Sequence, residues 1–268
     1  MIQDIFPHVY HNEYHPHEPL DTDYVLSYEN NSAILKSDLS FFQIKEVGRN
    51  TSYTYLFEID DRTFYLGEIH LPHQSIPIFE LRYLENSYIS FACLTGWQLH
   101  QWLIENQYCG KCGRKMKLDT YERALRCEAC NQVIYPRINP AVIVGVINDN
   151  DEILVTKYAH SAYKNYALVA GFAEIGETIE QTIIREVKEE TGLDVDHIQY
   201  YKSQPWSLSG TLLFGFWCRA KKPHQIIIDK QELSIAQWIT REELAKQLPS
   251  PVALTGEMML KFVKGEHF

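Results

Sequence analysis

Two Cys-x-x-Cys pairs, separated by fourteen residues, constrain this 268-residue chain more than any other feature. Cys109 and Cys112 form the first pair, Cys127 and Cys130 the second. Each pair can turn two thiolates toward one ion, and two pairs complete a tetrahedron around Zn2+, a closed structural site with no position left for water. Gly110 and Gly113 suit the tight turn of the first knuckle. The segment between the pairs is long enough for a two-stranded ribbon. Two disulfides, or four unlinked thiols, are the alternative. The first residues, Met1 to Pro7, lack the charged start and apolar run of a secretory signal, so the expected compartment is the cytoplasm and the expected pairing is with metal. Cys93 and Cys218 stand alone in apolar surroundings and read as buried thiols.

Around this anchor the chain falls into three regions. Residues 1–104 form an aromatic-rich N-terminal α+β domain, 105–136 the ribbon, and 137–268 a larger α+β domain. In the first, 53–59 and 63–66 read as strands around the polar turn Asp60 and Asp61. The threes-and-fours spacing of Leu81, Leu84, Tyr88, Phe91, Leu94 and Trp97 predicts a helix over 80–105, which Gly96 threatens to interrupt. His8, His11, His15 and His17 lie in a polar stretch with no supporting ligand pattern and read as solvated. In the third region, 141–147, 153–155, 197–203, 211–219 and 235–239 read as strands, and 178–191, 241–247 and 253–264 as helices. Strands and helices mix without regular βαβ alternation, which points to a mixed-sheet sandwich. No run reaches the ~18 apolar residues of a membrane span. The net charge of −10 argues against broad nucleic-acid binding, although Lys111, Arg114, Lys115 and Lys117 make the ribbon locally basic.

The segment from Gly171 to Leu193 carries the chemistry. Thr178 can cap a helix, and Ile179, Ile183, Ile184 and Val187 form one apolar stripe along it. Gly192 ends it as a left-handed cap. Glu186, Glu189 and Glu190 stand at i, i+3 and i+4 and share a face. Three carboxylates so close repel one another unless a cation joins them, and hard oxygen ligands at this density suit Mg2+ or Mn2+. Arg185 is placed to pair with Glu177 and pin the preceding loop to the helix.

This segment resembles the Nudix box, Gly-x5-Glu-x7-Arg-Glu-U-x-Glu-Glu-x-Gly-U with U a bulky aliphatic. Gly171, Glu177, Arg185, Glu186, Val187, Glu189, Glu190, Gly192 and Leu193 fill all nine defined positions. The resemblance implies a mixed-sheet α/β/α sandwich and metal-assisted hydrolysis of a diphosphate. Glu186, Glu189, Glu190 and the carbonyl of Ala170 are implied as ligands of the catalytic metal. The base is implied to be a glutamate or a hydroxide on the metal.

A zinc ribbon directly before such a domain resembles the NADH pyrophosphatase branch of the Nudix hydrolases. That resemblance implies cleavage of NADH or NAD to nicotinamide mononucleotide and AMP, removal of NAD caps from the 5′ end of RNA, and a homodimer. Tyr135, after the last knuckle, and Glu122, between the knuckles, match substrate-contacting residues of the branch, and Glu232 matches a late metal ligand. Ser203, Gln204, Pro205 and Trp206 match the start of its Ser-Gln-Pro-Trp-Pro-Phe-Pro segment. Tyr135 and Trp206 offer flat faces for a base or nicotinamide. The chain then departs from the branch: Ser207, Leu208, Ser209, Gly210 and Thr211 stand where it carries Pro-Phe-Pro. The bond cleaved is unaffected, but ADP-ribose and diadenosine polyphosphates become rival substrates. A different kind of reading is a zinc-ribbon nucleic-acid-binding or regulatory protein with a Nudix ligand sensor; the complete glutamate set and the net charge of −10 weigh against it.

Overall fold

The computed structural model describes residues 1–49, 51–159 and 165–268. It forms two compact units. One contains Ile2–Arg137 with Ser207–Gly210; the other contains Met1, Ile138–Trp206 and Thr211–Phe268.

In the first unit a five-stranded sheet runs in the order Tyr10–His11, Thr54–Ile59, Arg62–Leu66, Tyr24–Leu26, Phe42–Gln43. The expected hairpin is there, turning at Asp60 with φ 56°. The expected 80–105 helix is instead two helices, Ile78–Leu81 and Ser87–Glu105. The break falls before Asn86, whose side chain accepts hydrogen bonds from the N–H groups of Tyr88 and Ile89 and so starts a new helix. Gly96 does not interrupt that helix. A Cβ there would lie 2.4 Å from Leu26 Cδ1 and 2.5 Å from the Tyr28 hydroxyl, so the missing side chain lets helix and sheet touch. Further along, Trp102 packs with Cys109, Met116, Leu125 and Cys127, so the helix closes the apolar side of the ribbon. Cys93 is buried, and burial pushes its thiol up.

In the second unit the sheet order is Val195–Trp206, Thr211–Ala220, Asn139–Ile147, Ile153–Tyr158, Leu233–Ile239, with Val169–Phe172 paired to Asn139–Ile147. Asn139–Ile147 is the hub. It runs parallel to Thr211–Ala220 over its full length, antiparallel to Val169–Phe172 along Ala141–Val144, and meets Ile153 at its end. Both faces are apolar, as a strand covered on both sides requires. Val142, Val144 and Val146 meet Ile183 and Val187 of helix Ile179–Thr191. Ile143 and Ile147 meet Leu254, Met258, Met259 and Phe262 of helix Leu254–Val263. The result is the expected α/β/α sandwich. The stripe on helix Ile179–Thr191 is narrower than its periodicity suggests: Ile183 and Val187 are buried, whereas Ile184, a further 100° round the helix, is 46% exposed. Cys218 is buried here, as expected. No helix among the described residues is long and apolar enough to cross a membrane.

Candidate active site

Helix Ile179–Thr191 is built by its ends. The Thr178 hydroxyl accepts from the Gln181 N–H at 3.2 Å, and the Gln181 side chain answers by accepting from the Thr178 N–H at 2.8 Å, a reciprocal capping box. At the other end Gly192 adopts φ 71°, and its N–H donates to the Lys188 carbonyl.

Arg185 organises the loop before the helix. Nε donates to Glu177 Oε1 at 2.6 Å and Nη2 to Glu177 Oε2 at 2.8 Å, a two-pronged pair. Nη2 also reaches the Phe172 carbonyl at 2.9 Å, and Nη1 reaches Glu186 Oε1 at 2.7 Å and Glu189 Oε2 at 3.0 Å. Glu177 further accepts from the Glu174 N–H and the Thr182 hydroxyl, each at 3.0 Å. The Arg185 bond first, and these donors next, draw its carboxyl down to about 2. Thr182 is a member of this clamp that sequence reading missed; a hydroxyl inside a helix carries no signal of its own.

The remaining glutamates turn to strand Val169–Phe172. Glu186 lies over Gly171, where a Cβ would come 2.0 Å from its carboxyl carbon. Glu190 is 3% exposed, and its Oε2 has no hydrogen-bond partner. Burial first, then the charges of Glu186 and Glu232, push its carboxyl up to about 8, against a bond from the Ala170 N–H. In an antiparallel strand one residue's N–H and C=O leave on the same edge, so the Ala170 carbonyl shares the edge that faces Glu190. Burial pushes Glu186 up as well, despite Arg185. A buried carboxylate oxygen without a donor, beside two more carboxylates, fits a hard divalent cation.

Glu232 arrives by a route invisible in the sequence. The Ile227 N–H donates to the Thr191 carbonyl at 2.9 Å and the Asp229 N–H to the Glu190 carbonyl at 3.1 Å, so the segment before strand Leu233–Ile239 is clipped to the end of the helix. Main-chain bonds of this kind leave no side-chain pattern to read.

The implied substrate residues divide between the units. Gln204, Pro205 and Trp206 end strand Val195–Trp206, opposite Leu213, Leu212 and Thr211. Pro205 is exposed and Trp206 partly buried. Gln204 is 0% exposed; its amide donates to the Val252 carbonyl at 3.1 Å and accepts from the Leu254 N–H at 2.7 Å. Helix Leu254–Val263 begins at Ala253, which has no side-chain acceptor, and Gln204 supplies the missing cap. Ser207 to Gly210 make the turn that follows, with Gly210 at φ 63°. In the other unit, the Tyr135 hydroxyl donates to Glu122 Oε2 at 2.8 Å, while the Tyr135 ring stays 57% exposed. Asp119 holds this corner: its Oδ1 accepts from the Tyr121 and Glu122 N–H groups, and its Oδ2 pairs with Arg126 Nε at 2.7 Å.

In the ribbon the two knuckles match. The Gly113 N–H donates to the Cys109 carbonyl and the Asn131 N–H to the Cys127 carbonyl, both at 2.8 Å. Gly113 (φ 73°) and Asn131 (φ 59°) take the left-handed position; Gly110 does not. The four Sγ atoms lie within 4.8 Å of one another, with Cys109 to Cys130 and Cys112 to Cys127 each at 3.5 Å. Four sulfurs ~2.3 Å from a tetrahedral ion stand ~3.8 Å apart, so the quartet fits zinc. Among the described residues it is the one His, Cys, Asp or Glu group gathered this closely. Arg185 instead draws Glu186 and Glu189 toward itself.

A mixed-sheet sandwich with a clamped acidic loop–helix, preceded by a four-cysteine ribbon, defines the Nudix class of domain with an accessory zinc ribbon. Family models agree: residues 137–257 match the NUDIX domain and 104–135 the NADH pyrophosphatase zinc ribbon domain. A protein called NAD-capped RNA hydrolase NudC from Haemophilus influenzae (strain PittGG) is 32% identical over 177 residues, 64% of this chain and 67% of that protein. One of the same name from Pseudomonas aeruginosa (strain LESB58) is 31% identical over 192 residues, 71% of this chain. The match spans 66% of that relative, just under two thirds of its length. Among solved structures, a NUDIX hydrolase from Nitrosomonas europaea aligns with 60% of this chain and 94% of its own, at 23% identity and a TM-score of 0.46. The chain belongs to the Nudix family, in the group that carries the NADH pyrophosphatase zinc ribbon.

Proposed function

We propose that this chain hydrolyses the diphosphate bond of NADH and NAD, releasing nicotinamide mononucleotide and AMP, and removes NAD caps from the 5′ end of RNA. The observation that carries the chemistry is Glu190, a buried carboxylate with one oxygen lacking a donor, beside Glu186 and Glu232. Glu186, Glu189, Glu190, Glu232 and the Ala170 carbonyl would hold Mg2+ or Mn2+. The bound cation would polarise the diphosphate and acidify the attacking water. Arg185 and Glu177 fix the loop so that the carboxylates keep their places, and the low Glu177 carboxyl keeps that clamp charged at neutral pH.

The relatives' names support the dinucleotide, and the hydrogen-bonded Tyr135–Glu122 pair offers an exposed ring for it. Pro205 and Trp206, at the end of strand Val195–Trp206 in the other unit, are the remaining residues we assign to substrate by their match to the branch. Gln204 serves through the helix start it caps, since its amide is already bonded. A homodimer, in the cytoplasm, is the form we expect to act. The Ser207–Thr211 segment favours one rival reading, a related nucleoside diphosphate such as ADP-ribose or a diadenosine polyphosphate. A substrate panel with purified protein and Mg2+ or Mn2+ separates them: AMP released fastest from NADH or NAD supports the proposal, and faster cleavage of another compound replaces it. A Glu190→Gln variant that still turns over would remove the assigned metal niche.

A further inference from the structure

The outer face of the ribbon sheet is not used by the zinc or by the glutamate site. Strands Lys117–Leu118, Leu125–Arg126 and Val133–Ile134 pair so that Lys117, Arg126 and Val133 stand in one row. Residues directly opposite in a ladder share a face, and residues two apart along a strand share it too. Lys115 and its bridge partner Tyr108 therefore lie one row to one side, and Tyr135 one row to the other. Burial agrees in the first two rows: Met116, Leu125 and Cys127 turn inward toward Trp102, while Tyr108 is 64% exposed; in the third row Ala124 is buried and the Tyr135 ring, 57% exposed, reaches past it. The face is a ladder of three rows, about 13 Å from first to last: Tyr108 with Lys115 and Glu128, then Lys117 with Arg126, then Tyr135 with Asp119.

Its charge sets it apart. Residues 105–137 hold seven Lys and Arg against four Asp and Glu, a balance of +3 in a chain of −10, which leaves −13 for the rest. Lys117 pairs with Glu128 and Arg126 with Asp119. Among the described residues, Lys115 has no carboxylate partner. Exposed aromatic rings alternating with cations are what a single-stranded polynucleotide needs: flat faces for bases and charges for phosphates. An acidic protein would use the charges but not the rings.

We propose that this face binds the single-stranded RNA that follows a capped 5′ end, running from Tyr135 toward Tyr108. This rests on the function proposed above only for its direction, because Tyr135 is there the contact for the dinucleotide.

The test uses the full chain with its zinc. Fluorescence anisotropy follows binding of a short uncapped oligoribonucleotide over a range of salt, for the wild type, Tyr108→Ala and the double variant K115E/K117E, with zinc content measured on each. NADH turnover is assayed separately. The expected result is a roughly tenfold loss of RNA affinity for Tyr108→Ala. The double variant should lose still more, with the slope of log affinity against log salt falling by about 1.4, as two phosphate contacts on a single strand require. NADH turnover should stay at the wild-type level in both. RNA affinity unchanged in the double variant, or no RNA binding by the wild type, overturns the proposal even where NADH is cleaved. Failure of NADH cleavage with RNA binding intact and lost in the variants would instead strike the proposed function and leave this face standing.

Discussion

Gly171 shows how little room the glutamate site has. Any side chain there meets the Glu186 carboxyl, so Gly171→Ala displaces that carboxylate without disturbing the sheet ladder. A displacement near 1 Å at a reacting centre costs about 100-fold, and kcat should fall by that order while zinc content is unchanged. Glu190 makes a separate prediction. Its folded-state carboxyl titrates at about 8, well above its ordinary value of 4.5. A group raised in this way favours the folded state in its protonated form. That contribution is complete below about pH 4.5 and is lost as pH rises through 8. Metal-free protein should therefore melt at lower temperature at about pH 9 than at about pH 6. Glu190→Gln should flatten that difference and abolish the rise in melting temperature on adding Mg2+ or Mn2+. Equal pH dependence in the two proteins would mean that Glu190 is not the group responsible.

Among the elements, helix Ile179–Thr191 was legible almost to the residue, because its caps and its 3.6-residue period say the same thing. Strand Val169–Phe172, which presents Ala170 and Gly171 to the glutamates, was not legible. Four residues that include Ala170 and Gly171 have little strand preference and no alternation to display. The short strands of the N-terminal unit escaped because two to four residues are too few to display an alternation, and the split of the 80–105 helix turned on one cap, Asn86. Gln204 illustrates a side chain that a motif marks but whose work is local. Gln204→Leu leaves the Leu254 N–H and the Val252 carbonyl unpaired in the core, a cost of about 1–3 kcal/mol. Denaturant melts should register that loss, while KM for NADH changes little at temperatures where the variant stays folded. A large KM effect with unchanged stability would return Gln204 to direct contact with substrate.

For the molecule as a whole, the ribbon was readable from the spacing of four cysteines, and the sandwich from the family resemblance that nine box positions carry. What spacing could not convey was how each is held. The ribbon's apolar side is a small cluster, with Trp102, Cys109, Met116, Leu125 and Cys127 buried and Leu99, Leu103, Cys130 and Ile134 packed at its edge, too small a core to stand without its ion. Cys127→Ser should therefore lower zinc content and raise amide exchange throughout the ribbon and along the Trp102 face of helix Ser87–Glu105. Protection equal to wild type in zinc-free protein would show that packing alone suffices.

The hub strand Asn139–Ile147 has a consequence in time. Its parallel neighbour, Thr211–Ala220, begins 72 positions later in the chain, and the two lie side by side along their entire length. Contacts so distant in sequence form late, because a long loop must close before any of them is made. During synthesis the box helix leaves the ribosome well before the strand that completes the sheet beneath it. For that interval the valines of the hub lie bare on a growing chain, which makes residues 139–147 the stretch most in need of a chaperone's cover.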